Sequence, residues 1–108
     1  MSILCFGLSH HTAPMAFVEA HSFDVDTLSA FLRRLRDGNC VREVVGVSTC
    51  NRTEFYLETP CIESARERLL QLLAEHGNSS RSVLIEHSYL LQETSAVRHL
   101  YQVASGVD

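Results

Sequence analysis

The chain has 108 residues, of which 45% are hydrophobic, and a formal net charge of −4 at pH 7. This length suits one domain with a single core, and the negative charge argues against a strong nonspecific polyanion binder, which needs a basic face. The first residues are apolar but lack a basic leader and a long apolar run, so we expect no signal peptide and no membrane span, and a cytoplasmic location.

The first predicted elements are a strand and two helices. Residues 3–8 are apolar on both faces, which is typical of a buried strand, and a polar loop follows them. Pro14 is expected to open a short helix that runs to residue 20. Asp24 is expected to cap a longer helix, which Gly38 ends.

A hairpin and a further helix come next. Residues 41–48 and 54–59 have the β-branched and aromatic content of paired strands, which places a polar segment, residues 48–53, on the loop between them. After Pro60, the apolar spacing predicts an amphipathic helix that ends at Gly77 and Asn78.

The last third of the chain predicts a helical turn, a short strand at residues 89–91 and a helix over residues 93–105. The expected apolar stripe of that helix consists of Val97, Leu100, Tyr101 and Ala104. The element order β-α-α-β-β-α-β-α predicts one α+β domain over residues 1–108. Its expected fold is ferredoxin-like (split βαβ), with an antiparallel sheet and helices on one face.

The polar segment between the hairpin strands is the strongest candidate for chemistry. It presents the thiol of Cys50 beside a hydroxyl (Thr49), an amide (Asn51) and a guanidinium (Arg52). These donors suit a carboxylate or a developing oxyanion, and a nearby cation favours the thiolate that acts as a nucleophile. Other interpretations stay open at this point: a small apolar cysteine, an ion pair of Arg52 with Glu54, and ordinary turn formation.

Two further residue types need an explanation. Four cysteines, at positions 5, 40, 50 and 61, form no C-x-x-C pair, so we expect free thiols and neither a disulfide framework nor a zinc module. All nine basic side chains are arginine. Arg33, Arg34 and Arg36 fall at the end of a predicted helix, where the macrodipole favours cations in any case. Because the net charge is −4, any nucleic-acid contact should be local.

Three sequence blocks carry a family resemblance. Residues 7–14 (GLSHHTAP), 48–54 (STCNRTE) and 96–106 together resemble the N-terminal domain of glutamyl-tRNA reductase, in order and spacing, over essentially the whole chain. The resemblance implies reduction of glutamyl-tRNA with NADPH to glutamate-1-semialdehyde, the first step of the five-carbon route to tetrapyrroles such as porphyrins. It implies that Cys50 attacks the ester carbonyl and holds glutamate as a thioester.

The resemblance also assigns roles to other residues. Thr49, Asn51 and Arg52 would bind substrate together with Cys50, with the Arg52 fork on the glutamate carboxylate. His99 would be the second catalytic residue. The chain departs from the family at Val18, where arginine is usual, and at two positions of the first loop, Ser9 and His11. His10 is expected either near Cys50 or in a hydrogen bond within its own loop.

Cofactor and partners follow from the resemblance as well. The glycines are isolated and no G-x-G-x-x-G is present, so NADPH would be bound by a domain absent from this chain. We therefore expect a fragment of a longer reductase, without its NADPH-binding and C-terminal dimerisation domains and without reductase activity alone. The implied partners are glutamyl-tRNA, glutamate-1-semialdehyde aminomutase and, in full-length members, a second copy. A noncatalytic RNA-binding or assembly domain and an unrelated cysteine esterase remain as alternatives.

Overall fold

The computed structural model describes residues 2–38 and 40–106. Strands and helices alternate much as the sequence predicts, and the predicted helical turn after Asn78 is a short helix of its own. In chain order the elements are β1 (Ser2–Ser9), α1 (Met15–Ala20), α2 (Val25–Arg36), β2 (Glu43–Ser48), β3 (Arg52–Thr59), α3 (Ile62–Gly77), α4 (Arg81–His87), β4 (Tyr89–Gln92) and α5 (Thr94–Ala104).

The four strands form one sheet in the order β2-β3-β1-β4, and every neighbouring pair is antiparallel. Strand β3 lies between β1 and β2, so the two ends of the first crossover are separated by a strand, as in a split βαβ unit. The predicted α+β class and antiparallel ferredoxin-like sheet are confirmed.

One face of the sheet carries the main core. Alternate residues of β1, Leu4, Phe6 and Leu8, point to this face because successive side chains of a strand alternate between the two faces. They pack with buried residues of α2 and α3. The Asp24 side chain caps α2 by accepting from the Thr27 amide at 2.8 Å, and Asn78 ends α3 with a φ of 54°. Among the helices of the described residues, none has the length and apolar character needed to cross a membrane.

The other face of the sheet has its own small cluster, in which Cys5 and Tyr56 pack against Ala96 of α5. The expectation that the helices lie on one face is therefore wrong for α5. The reason is that β1 is apolar on both faces and that Tyr56 of β3 lies beside Cys5 on the second face, so this face also requires a cover.

The predicted apolar stripe of α5 is also wrong. Val97, Leu100 and Tyr101 are 36%, 40% and 72% exposed, and Ala104 is exposed as well, whereas Ala96 is fully buried. Three residues after Ala96, and hence on the same side of the helix, His99 is only 14% exposed in its side chain. A polar contact of His99, described below, sets the rotation of α5 in place of the hydrophobic spacing.

Candidate active site

The connection between β2 and β3 is shorter than the sequence predicts. The amide of Thr49 donates to the carbonyl of Arg52 at 2.8 Å, and the amide of Asn51 donates to the Thr49 hydroxyl at 3.2 Å. Arg52 and Thr53, expected on the loop, are thus the first residues of β3. Only Thr49, Cys50 and Asn51 form the turn, and all three are exposed.

Cys50 lies at the tip of this turn with its thiol exposed. Of the other free cysteines, Cys61 is also exposed, Cys40 is partly buried and Cys5 is buried. A hydrogen bond to the Ser64 hydroxyl is the main cause that lowers the pKa of Cys61. Exposure alone therefore does not single out Cys50 among the four thiols.

A cavity of about 520 Å³ opens beside Cys50 on the side of α1. The Ser48 hydroxyl holds one wall in place, because it accepts from the Phe23 amide at 2.9 Å and lies 3.1 Å from the Thr53 hydroxyl. The lining consists of Met15, Glu19, Ser22, Phe23, Ser48, Thr49 and Cys50. The structure thus brings Thr49 and Cys50 together at one cavity, whose lining includes neither Arg52 nor His99.

Arg52 belongs to a buried polar network on the α5 side of the sheet. Its guanidinium, 8% exposed, donates from Nη1 to Oε2 of Glu54 at 3.3 Å, and the Glu54 side chain is completely buried. The ion pair with Glu54 that the sequence left open is therefore present, although it lies inside the molecule and not on its surface.

His99 contacts the same carboxylate. Its Nε2 lies 2.5 Å from Oε2 of Glu54, the Tyr89 hydroxyl donates to Oε2, and the Tyr56 hydroxyl donates to Oε1 at 3.0 Å. An ionised carboxylate only accepts hydrogen bonds, so Nε2 of His99 carries a proton. Glu54 thus fixes the positions of Arg52 and His99 at once.

Gly7 makes room for this network. In the register of the sheet it stands between Glu54 on β3 and Tyr89 on β4. A Cβ at position 7 would lie 2.8 Å from Cγ of Glu54 and 3.0 Å from the Tyr89 hydroxyl. Only glycine lets the tyrosine reach the carboxylate across β1.

In this network two tyrosine hydroxyls, one imidazole and one guanidinium surround a single carboxylate. Burial is the main cause that raises the pKa of Tyr89 and of Tyr56 and that raises the pKa of the Cys5 thiol to about 12. Ligand atoms of Cys5, Glu54 and His99 lie within 4.8 Å of one another. Metal binding needs a thiolate and a carboxylate with open acceptor positions, whereas here the thiol is neutral and the carboxylate already has four partners.

Asn51 contributes its backbone to the loop. Its carbonyl accepts from the His10 amide at 2.9 Å, and Nδ1 of His10 lies 3.4 Å from the same oxygen. His10 therefore lies beside the turn that carries Cys50, and both of its contacts join the first loop to that turn. Val18, which stands where the resemblance expects arginine, is fully buried in α1.

The sequence interpretation missed the central role of Glu54, Tyr89 and Gly7. A signal for Glu54 was available, because Arg52 and Glu54 are two positions apart and therefore share one face of a strand. A glycine within a buried apolar strand is likewise a signal of close approach by another group. Tyr89 had no comparable signal, since its partner is 35 residues away in the sequence.

Comparisons with known proteins agree on one family. Residues 6–108 match the family described as glutamyl-tRNAGlu reductase, N-terminal domain. A glutamyl-tRNA reductase of Rubrobacter xylanophilus is 43% identical over the whole chain, which covers 25% of that relative. The solved structure of glutamyl-tRNA reductase from Methanopyrus kandleri matches 97% of the chain with a TM-score of 0.67 and 27% identity, and the match covers 22% of that structure.

Proposed function

The chain belongs to the family of glutamyl-tRNA reductase N-terminal domains, and we propose that it is the part of such a reductase that accepts glutamate from glutamyl-tRNA onto Cys50. The chain spans about a quarter of the length of the relatives that it matches. The complete reduction to glutamate-1-semialdehyde is therefore proposed for a longer protein. The observation that carries the proposal is the exposed thiol of Cys50 on a turn whose conformation is fixed by hydrogen bonds.

The proposed covalent step is acyl transfer. The thiolate of Cys50 attacks the carbonyl carbon of the ester, a carbon–sulfur bond forms, and the bond from that carbon to the terminal ribose oxygen breaks. The ribose oxygen takes up a proton and the tRNA leaves with a free hydroxyl. Glutamate remains bound as a thioester, and no oxidant or reductant is needed at this stage.

Substrate binding is proposed for Thr49, Asn51 and Arg52. Thr49 and Asn51 flank the thiol on the turn and offer a hydroxyl and an amide. Arg52 would bind the glutamate side chain, because a guanidinium is a planar fork that matches a carboxylate. Its pairing with Glu54 supports a positioning role for Glu54, since the carboxylate holds the fork in one orientation.

His99 is proposed as the second catalytic residue. Because its Nε2 proton is engaged by Glu54, the opposite ring nitrogen, Nδ1, is the acceptor in the neutral ring. A proton exchanged with the substrate would be held there. The proposed role is that of a general acid and base whose orientation Glu54 fixes.

NADPH, which supplies a hydride when it is bound, does not fit the residues of this chain. Dinucleotide sites use a glycine-rich turn after a parallel strand, whereas every neighbouring strand pair here is antiparallel and Gly7 and Gly46 are packed against side chains. NADPH binding is proposed for another part of a longer reductase. Partnership with the aminomutase and formation of a homodimer belong to that longer protein as well.

The first test is transfer of glutamate to the thiol. Incubation of the chain with glutamyl-tRNA should produce a glutamyl adduct that intact-mass analysis detects and peptide mapping locates at Cys50. Cys50→Ser should abolish the adduct. Cys61→Ser is the matched control, because Cys61 is also exposed and should not be needed. An adduct of the same yield in Cys50→Ser would refute the proposal.

The second test concerns Arg52. Arg52→Lys keeps the positive charge but loses the planar fork, so we expect a weaker preference for glutamyl-tRNA over a tRNA charged with another amino acid, by roughly tenfold or more. The ratio of the two adduct-formation rates is the measurement. Arg98→Lys, an exposed arginine beside His99, serves as the control. An unchanged ratio in a folded Arg52→Lys chain would remove the assigned role.

The alternatives give different results in the same experiments. An unrelated cysteine esterase would cleave simple esters without a preference for glutamyl-tRNA. A noncatalytic RNA-binding or assembly domain would keep all of its activity in Cys50→Ser.

A further inference from the structure

A charged surface lies away from Cys50, at the C-terminal end of α2. A cavity of about 610 Å³ is lined there by Ala30, Arg33, Arg34, Arg36, Asp37, Val41 and Arg42. Four arginines and one aspartate thus line one cavity, in a chain whose net charge is −4. The local charge is opposite in sign to that of the whole chain.

The fold holds these arginines in place. Leu35, between Arg34 and Arg36, is fully buried in the core, and Val41 beside Arg42 is 5% exposed. The amide of Arg42 also donates to the carbonyl of Glu58 at 2.8 Å. The guanidinium groups therefore project from backbone that the core fixes.

Among the described residues, most of these charges have no carboxylate partner. Within residues 2–38 and 40–106, no acidic oxygen lies within 4.0 Å of a guanidinium nitrogen of Arg33, Arg36 or Arg42. Arg34 lies 3.8 Å from Glu75, with both side chains more than half exposed. Such an exposed pair is weak and easily exchanged for another anion.

The helix macrodipole does not account for the whole cluster. Cations in the last turn of a helix interact favourably with the macrodipole, which explains the arginines on α2. Arg42 lies after the helix, in the segment before β2, and tertiary folding alone brings it to the same cavity. Arginine keeps its charge at all working pH values and binds phosphate oxygens in a bidentate manner.

We propose that Arg33, Arg34, Arg36 and Arg42 form a binding surface for the phosphate backbone of the tRNA acceptor stem. This inference rests on the proposed function, which makes a tRNA the substrate. Strand β2 separates Arg42 from the turn of Cys50, and its six residues span about 20 Å. The amino acid of a charged tRNA is attached to an unpaired end several nucleotides long, so phosphates at that distance from the ester belong to the start of the paired stem.

The test compares two double variants of equal charge change. Arg36→Gln with Arg42→Gln should weaken binding of uncharged glutamate tRNA, measured by fluorescence anisotropy, by roughly tenfold at low salt, and should reduce the slope of log K against log salt by about two. Arg81→Gln with Arg98→Gln, two exposed arginines elsewhere, should leave both quantities unchanged. Arg36→Lys with Arg42→Lys keeps the charge and should largely retain the wild-type slope.

The possible results are separable. An unchanged slope in Arg36→Gln with Arg42→Gln, or an equal loss in the control pair, would overturn the surface. Tighter binding of poly-glutamate than of tRNA through the same arginines would overturn it in favour of an acidic protein partner. Uncharged tRNA needs no reaction at Cys50, so arginine-dependent binding without a glutamyl adduct would support the surface while refuting the proposed chemistry.

Discussion

Glu54 shows how a single buried carboxylate can organise two proposed functional groups. It is fully buried and accepts from Arg52, Tyr56, Tyr89 and His99. A buried charge is tolerated only when it is paired and its acceptor positions are filled. Glu54 meets this condition, because Arg52 pairs with it and the other three groups fill its remaining acceptor positions. Because Arg52 and His99 share this one partner, a change at Glu54 affects both.

The first residue-scale prediction therefore concerns Glu54. Glu54→Gln keeps the shape of the side chain but leaves the Arg52 guanidinium buried opposite a neutral group. Removing one partner of a buried ion pair costs about 3–5 kcal/mol, and we expect a loss of this size in the free energy of unfolding measured with urea.

Glu58→Gln is the matched control for this change. Glu58 lies on the same strand and the same face but is only partly buried, so its neutralisation should change stability by less than about 0.5 kcal/mol. Equal losses in the two variants would contradict the assigned importance of the network.

At the level of single residues, the assignment of Cys50 and its polar neighbours to a site stays a prediction. It was made from residue types, and the thiol of Cys50 is exposed, as a nucleophile requires. The burial of Arg52 was not foreseen, because it depends on α5, which is more than 40 residues away and covers this face. Local sequence carries no record of such a contact.

At the scale of elements, α5 is the helix for which periodicity failed. Its apolar residues are spaced like a core-facing stripe, yet the buried side is set by Ala96 and His99. A short side chain at position 96 allows close approach to the sheet, and the contact of His99 with Glu54 then fixes the rotation. By contrast, α2 and α3 were predicted well because their caps and apolar spacing agree with their packing.

The prediction at the scale of elements concerns the contact between α3 and the end of α1. Gly77, the last residue of α3, packs so closely on the buried His21 ring that a Cβ at position 77 would overlap the imidazole. Helix propensity alone would make Gly77→Ala more stable by about 0.5–1 kcal/mol. We expect the opposite sign, a loss of about 1–3 kcal/mol in the free energy of unfolding, because the overlap strains the core.

A double variant tests the cause of that loss. In a His21→Ala background the ring is absent, and Gly77→Ala should then be neutral or stabilising. A loss that persists in this background would show that another contact of Gly77 is responsible.

For the whole molecule, the sheet order followed from the element order, since a split βαβ arrangement is the one solution that the predicted strands and crossovers favoured. The placement of α5 on the second face did not follow. The sequence indicates that β1 is apolar on both faces, but it does not indicate which helix covers the second face, because that depends on a contact between distant residues, His99 and Glu54.

Stability of the whole chain should depend on pH through His21. Its Nδ1 donates to the Phe17 carbonyl at 2.8 Å, its Nε2 accepts from the Ser79 hydroxyl at 2.8 Å, and burial is the main cause that lowers its pKa from 6.5. His76 lies nearby and lowers it further. Because the pKa of His21 is lower in the folded chain, the unfolded chain binds the proton more readily. The contribution of His21 to stability is therefore fully present above pH 6.5 and is lost as the pH falls below that value.

Thermal unfolding between about pH 7.5 and about pH 5.5 measures this dependence. The melting temperature of the wild-type chain should fall as the pH is lowered across that interval, and the fall should be smaller in His21→Gln, which has no imidazole at position 21. Parallel curves for the two proteins would assign the pH dependence to other groups.

The two exposed thiols stand at opposite ends of β3, with Cys50 before the strand and Cys61 after it. Eight residues of extended chain place them roughly 25 Å apart, within the working range of fluorescence energy transfer. The native sequence thus offers a ready pair of dye attachment positions across the sheet. Only the half-buried Cys40 has to be replaced for clean labelling, because Cys5 is sealed from the reagent.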